Sequence, residues 1–195
     1  DGKVVLAAHC NNRTGGALVD MGLYRRDNNS QVMTRTAEQT SVDVQATSTI
    51  YKFTCGGVDL TLRFTAPLLL EDLDLVSRPV NYITYDVASN DGAEHDVQIY
   101  FEAAPDWARN SSEQKCVSER GDDDNFNYVK SGTVDQKILG RKGDDVRIDW
   151  GYFYMAADKA SSRSSVGNAV AMRREFADRG TVEGRSEGDR MSITA

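Results

Sequence analysis

Acidic and aromatic side chains are the residues whose spacing here could support chemistry, and they meet at Asp149-Trp150. An acid flanked by rings can be partly desolvated, which pushes its pKa toward the range useful for proton transfer. Carboxylate catalysis, however, needs two acids converging on one site with their pKa values driven apart. Nothing in the spacing supplies Asp149 with a partner, so a structural hydrogen bond or an edge-facing charge is the simpler reading. Glu71, Asp72 and Asp74 follow an apolar run and read as a solvated bend between a strand and a loop. Asp122-Asp123-Asp124-Asn125 could offer oxygen ligands to calcium. It lacks the alternating acid pattern and the distant bidentate Glu of a calcium loop, and reads as a solvated acidic turn. His9 and His95 are the histidines of the chain. His9 adjoins Cys10, but neighbours on an extended chain point to opposite faces, which separates a would-be Cys-His pair. Neither a G-x-S-x-G elbow nor a Walker loop nor H-E-x-x-H occurs. No catalytic, cofactor-binding or metal-binding residue is therefore assigned, and no cofactor is expected.

The aromatic set comprises Trp107 and Trp150 with Tyr82, Tyr85, Tyr100, Tyr152 and Tyr154. Such side chains pack cores, stack on sugars or dock neighbouring domains, according to whether they are buried or exposed. Trp107, Asp149, Trp150 and Tyr152 form the candidate interdomain or ligand surface.

The elements that must position these residues are mostly strands. Val58, Leu60, Leu62 and Phe64 alternate with Asp59, Thr61, Arg63 and Thr65, the period of a strand with one buried face. Tyr51, Phe53 and Cys55 alternate just before, and Gly56-Gly57 between the runs suits a tight hairpin. A second hairpin is expected from Tyr82–Ala88 and Val97–Phe101 around Asp91-Gly92. Further strands are expected at Asn127–Lys130 and Val146–Met155. A helix is expected over 164–180, capped by Ser164-Ser165, running from Val166 to Asp178 and stopped by Gly180. A short turn is expected near Asp106-Trp107-Ala108. Loops are expected at Arg25–Ser30, Asn110–Gln114, Gly121–Asn125 and Gly140–Asp144. Short strands joined by Gly, Asn and Asp turns specify an all-β fold, an antiparallel β-sandwich with one or two short helices.

Composition bounds the partners. The chain has 195 residues and a formal net charge of −7, which opposes nucleic-acid binding because phosphate contact needs clustered Lys and Arg. No run of about 18 apolar residues occurs, so no membrane-spanning helix is expected. Cys10, Cys55 and Cys116 form no C-x-x-C pair, and buried free thiols are the expected state, although one bridge could form. Asn12-Arg13-Thr14, Asn28-Asn29-Ser30 and Asn110-Ser111-Ser112 match the glycosylation sequon. Asp1-Gly2-Lys3 and Met191-Ser192-Ile193-Thr194-Ala195 both read as interior sequence. Residues 1–195 are thus expected to be a single sandwich domain from a longer multidomain protein.

A longer pattern carries a resemblance. Gly56-Gly57-Val58-Asp59-Leu60-Thr61-Leu62 and Phe64-Thr65-Ala66-Pro67-Leu68-Leu69 are followed by Asp72-Leu73-Asp74-Leu75-Val76-Ser77-Arg78-Pro79-Val80 with Tyr82. Then come Asp91-Gly92, His95-Asp96-Val97-Gln98 and Asp144-Asp145-Val146-Arg147-Ile148-Asp149-Trp150-Gly151-Tyr152. Collinear over about residues 49–155, this set resembles glutaminase A-like proteins. The resemblance implies an exported protein that is extracytoplasmic (periplasmic, cell-surface or secreted), with an N-terminal β-sandwich and a later helical toroid. The toroid would hydrolyse L-glutamine to L-glutamate and ammonia, so the expected partner is a C-terminal helical catalytic domain of the same polypeptide. No catalytic residue carries over to this chain. Carbohydrate is the alternative partner, as for a binding module of a glycoside hydrolase-like protein.

Overall fold

The computed structural model describes the backbone of residues 4–11, 18–26 and 32–36, and the full residues 37–144, 146–185, 188 and 190–195. The sequons at Asn12 and Asn28, the loop positions 27–30 and Asp145 lie outside the described residues. His9 and Cys10 fall on a described strand, but their side chains lie outside that set. The chain divides into two compact units, one of Ala37–Val97 and one of Val5–Thr36 with Gln98–Ala195.

Strands β1 (Val4–Asn11), β2 (Leu18–Arg26) and β3 (Val32–Thr36) pair antiparallel in succession. A separate four-stranded sheet follows, in the order β4 (Glu38–Val44), β5 (Ser48–Cys55), β6 (Val58–Thr65) and β7 (Tyr82–Ser89). Its β5–β6 hairpin is the one expected: Cys55 pairs with Val58, and Gly56 turns the chain at φ 64°. Gly57 is needed for a different reason. A Cβ there would lie within 2.7 Å of Asp91 and His95, which close over the turn. Val58, Leu60 and Leu62 are buried while Asp59 and Arg63 face solvent, as the alternation requires. The 71–74 bend holds a one-turn helix, α1 (Leu73–Ser77), whose N-cap Asp72 accepts the Leu75 N–H at 2.9 Å.

The second hairpin does not form. β7 pairs with β6, and β8 (Val97–Ala103) joins β1 and the last strand of the chain in another sheet. Gly92 does turn, at φ 75°, but Asp91 spends its carboxylate on the local Ala93 N–H. The loop is closed by its own side chains rather than by a ladder.

Beyond β8 lie a 3-10 turn (Pro105–Ala108), β9 (Cys116–Asp122), β10 (Phe126–Thr133), β11 (Phe153–Asp158), β12 (Arg163–Gly167), α2 (Ala169–Arg179) and β13 (Arg190–Thr194). The expected strand from Val146 forms only from Phe153. Gly151 sits at φ 82°, and the Gln136 side chain takes both its N–H (2.6 Å) and its carbonyl (3.2 Å), the groups a ladder would use. The expected helix also begins later. Ser164 and Ser165 belong to β12, Asn168 caps α2 by accepting the Ala171 N–H, and Gly180 ends it in the left-handed region.

The six-stranded sheet, ordered β12-β13-β8-β1-β2-β3, and the three-stranded sheet β11-β10-β9 form a sandwich within the second unit. Ala103, Val129, Met155, Val166, Met191 and Ile193 fill the space between them. The alternate residues of β8 turn the other way, so Tyr100 meets Met172 and Phe176 of α2, its ring 5.1 Å from Phe176. One strand therefore serves two cores. Both sheets are antiparallel, and the fold is all-β with two short helices, as the sequence specifies.

Candidate functional site

The four candidate surface residues do not share one place. Asp149 is buried, and its carboxylate accepts from Gln114 Nε2 at 2.8 Å and Arg141 Nε at 2.9 Å. Thr133 Oγ1 donates to its carbonyl. This acid ties the irregular segment before β11 to the end of β10, and its charge is neutralised on the spot. Trp150 is half-buried beside it. Trp107, on the 3-10 turn, is 49% exposed and stacks on Phe153 at 5.7 Å, at the margin of the sandwich core. Tyr152 takes the opposite course and lies on the outer face of the three-stranded sheet.

That outer face is the largest aromatic grouping on the second unit's surface among the described residues. Val129 and Ser131 of β10 point into the sandwich, so Phe126, Tyr128 and Lys130 point out. Met155 likewise points in and Tyr154 out. Tyr152 and Tyr154 are 52% and 54% exposed, with ring centres 6.3 Å apart, and Tyr128 is 6.1 Å from Tyr154. Lys130 Nζ lies 5.0 Å from the Tyr152 ring and 3.1 Å from Glu119. The Glu119 hydrogen bond and charge hold the Lys130 ammonium above its ordinary pKa. Glycines make room for the rings: a Cβ on Gly121 would strike Tyr128, and one on Gly132 would strike Tyr152. Sequence reasoning found Tyr152 and Tyr154 but missed Tyr128 and Lys130. The signal was the every-second-residue run Phe126, Tyr128, Lys130; its cross-strand partner, Tyr154, could not be read without the register.

Several other acids are spent on structure. Glu102 is 2% exposed and receives Arg173 through Nε (2.9 Å) and Nη2 (2.6 Å), with the Tyr100 hydroxyl donating at 2.7 Å. Burial pushes the Tyr100 hydroxyl pKa well up, and the neighbouring Glu102 charge adds to this. Glu175 pairs with Arg185 at 2.7 Å. Asp123 accepts the Asn125 and Phe126 N–H groups to close the β9–β10 turn, and Asp122 pairs with Lys159. Among the described residues no group of three or more His, Cys, Asp or Glu could hold a metal ion. His95 Nε2 contacts Asp91 Oδ1 at 2.9 Å, which with the Ala93 N–H and the Ser89 hydroxyl holds the Asp91 carboxyl down to about 2. Cys55 is buried with its thiol pushed up to about 11, mainly by burial and then by Asp59, so it is no ready nucleophile. A polar cleft lined by Gln98, Arg120, Asn127, Lys159, Arg163 and Thr181 contains one buried acceptor, Gln98 Oε1, without a partner among the described residues.

The four-stranded sheet carries a second, apolar surface. Residues directly opposite one another share a face, which places Val44, Thr49, Phe64 and Ile83 in one row and Val42, Tyr51, Leu62 and Tyr85 in the next. Burial fades along β6 from Val58 to Phe64, and the outer strands expose Val44 (74%), Val42, Ile83 and Tyr85. Leu68, Leu69, Leu70 and Leu73 are also exposed. No helix among the described residues is long and apolar enough to cross a membrane.

Residues 47–194 match the family described as a domain of unknown function (DUF5127). The chain is also 27% identical over 164 residues to Glutaminase A of Aspergillus oryzae. That alignment covers 83% of this chain and 24% of the fungal protein, so the chain spans about a quarter of the relative's length.

Proposed function

Since the chain belongs to the DUF5127 family, we propose that it is the non-catalytic β-sandwich portion of an exported glutaminase, packing beside a helical catalytic domain of the same polypeptide. The observation that carries this reading is the apolar face of the four-stranded sheet, where Val42, Val44, Ile83 and Tyr85 lie in register and exposed. Contiguous apolar surface of this kind marks an interaction site. Two further observations support it. The fungal relative is named a glutaminase and is about four times longer than the matched stretch. The buried acids Glu102 and Asp149 are each held in an ion pair with an arginine.

The test compares this chain with the full-length protein in an assay of ammonia released from L-glutamine. The chain alone should release none, and the full-length protein should be active. Turnover by the chain alone would end the accessory reading. Export is tested separately, by fractionating cells that make the full-length protein; recovery confined to the cytosol would remove it.

A further inference from the structure

We infer that the outer face of the three-stranded sheet is a binding site for a neutral, soluble polysaccharide chain, with Tyr152 and Tyr154 as its stacking residues. The inference is independent of the glutaminase reading.

Three features of the face point to that ligand. Its large exposed groups are the Tyr152 and Tyr154 rings, with Phe126 and Val117 beside them. The C–H side of a pyranose packs against the electron-rich face of such a ring, and the phenol hydroxyl offers a hydrogen bond at the rim. Tyr152 and Tyr154 are each about half exposed. The rings also form a series. Tyr152 lies over Gly132 at one end of β10, and Tyr128 and Phe126 continue toward the other end. The span from Gly132 to Phe126 is six residues of strand, about 20 Å, long enough for several consecutive sugar rings. Charge is the third feature. The chain carries a net charge of −7, but Lys130, at the centre of this face, is paired with Glu119. With that ion pair, several hydroxyls and the Asp158 carboxylate opposite Phe126, the face complements an uncharged polyol better than an anionic polymer.

Ring orientation narrows the class further. Tyr152 and Tyr154 are inclined at 70°, and Tyr128 and Tyr154 at 51°. A flat crystalline surface cannot touch all three, whereas a single flexible chain can twist from ring to ring. Lys130 lies over one side of the Tyr152 ring.

The experiment is affinity electrophoresis of the full chain through native gels containing hydroxyethylcellulose, glucomannan, xylan or laminarin, with dextran sulfate as the charged control. At least one neutral polymer should retard the chain. The Tyr152→Ala/Tyr154→Ala double variant should lose most of that retardation, at least tenfold in apparent affinity. Both positions are solvent-facing, and an unchanged thermal melt shows that the fold is kept. Tyr128→Ala is avoided because Tyr128 covers Gly121. Full retention of binding by the double variant, or no retardation by any neutral polymer, overturns the proposal. So does retardation by dextran sulfate alone. Concentration-dependent dimerisation abolished by the same double variant would assign the face to a second copy of the chain and would equally overturn it.

Discussion

Asp91 shows how one side chain can set a local structure. Its carboxylate collects the Ser89 hydroxyl, the Ala93 N–H and His95 Nε2, and the resulting cap sits against Gly57 of the neighbouring hairpin. Its pKa is held at about 2 in the folded chain, below the ordinary value of about 3.9. A group with a depressed folded pKa adds stability above its unfolded value, and that stability is lost as pH falls through the folded one. The window here is from about pH 4 down to about pH 2. Asp91→Asn should therefore flatten the acid-side decline of the urea midpoint measured at successive pH values across that window. An identical decline in both proteins would show that the cap contributes nothing to folding. His95 and Asp91 together mimic part of a catalytic pair, but the nearby Ser89 hydroxyl donates to Asp91, and the bonds serve the turn.

Between elements, the Glu102–Arg173 contact joins β8 to α2 across 71 residues of sequence. Removing one member of a buried pair leaves a charge in a poor environment. Arg173→Met leaves Glu102 facing the more distant Arg190, at 3.7 Å, and should cost about 3 kcal/mol in a urea titration. Arg173→Lys keeps the charge but gives up the two-pronged geometry, and should cost less. A loss under about 1 kcal/mol for Arg173→Met would mean that apolar packing alone seats the helix. The same contact marks where sequence reasoning stops. The β5–β6 hairpin was legible because its alternation and its Gly-Gly turn are adjacent. Gly180 was legible as a helix stop because the signal is a single residue. The partner of β8 was not, since β13 is more than 85 positions away and no local pattern favours it over β7. Nor was the break before β11, where a side chain from Gln136 supplants the ladder at Gly151. Of the candidate surface, Tyr152 lies exposed on the outer face of the three-stranded sheet. Asp149 turned inward because Gln114 and Arg141, both distant in sequence, meet it there.

At the scale of the molecule, the apolar rows of the four-stranded sheet are the feature that the docking proposal must explain. Hydroxyl-radical footprinting should label Ile83 and Tyr85 readily in this chain, as their exposure requires. In the full-length protein, labelling at both should fall several-fold, while Tyr152 and Tyr154 on the other unit keep theirs. Equal labelling of Tyr85 in the two proteins would sink the docking face and leave the polysaccharide site standing. Protection of Tyr154 in place of Tyr85 would sink both, since the apolar rows would stay open and the tyrosine face would be the covered one.

The order β12-β13-β8-β1-β2-β3 also governs how the second unit can be made. Its central strand, β8, is translated about midway through the chain, yet one of its two neighbours is formed by residues 190–194. On a ribosome, the β4–β7 sheet has every strand it needs once Ser89 has emerged. The six-stranded sheet must instead wait with an open edge until residues 190–194 are made. Vectorial synthesis therefore leaves Tyr100 waiting for α2, and Ala103 waiting for β13, while the intervening strands are made.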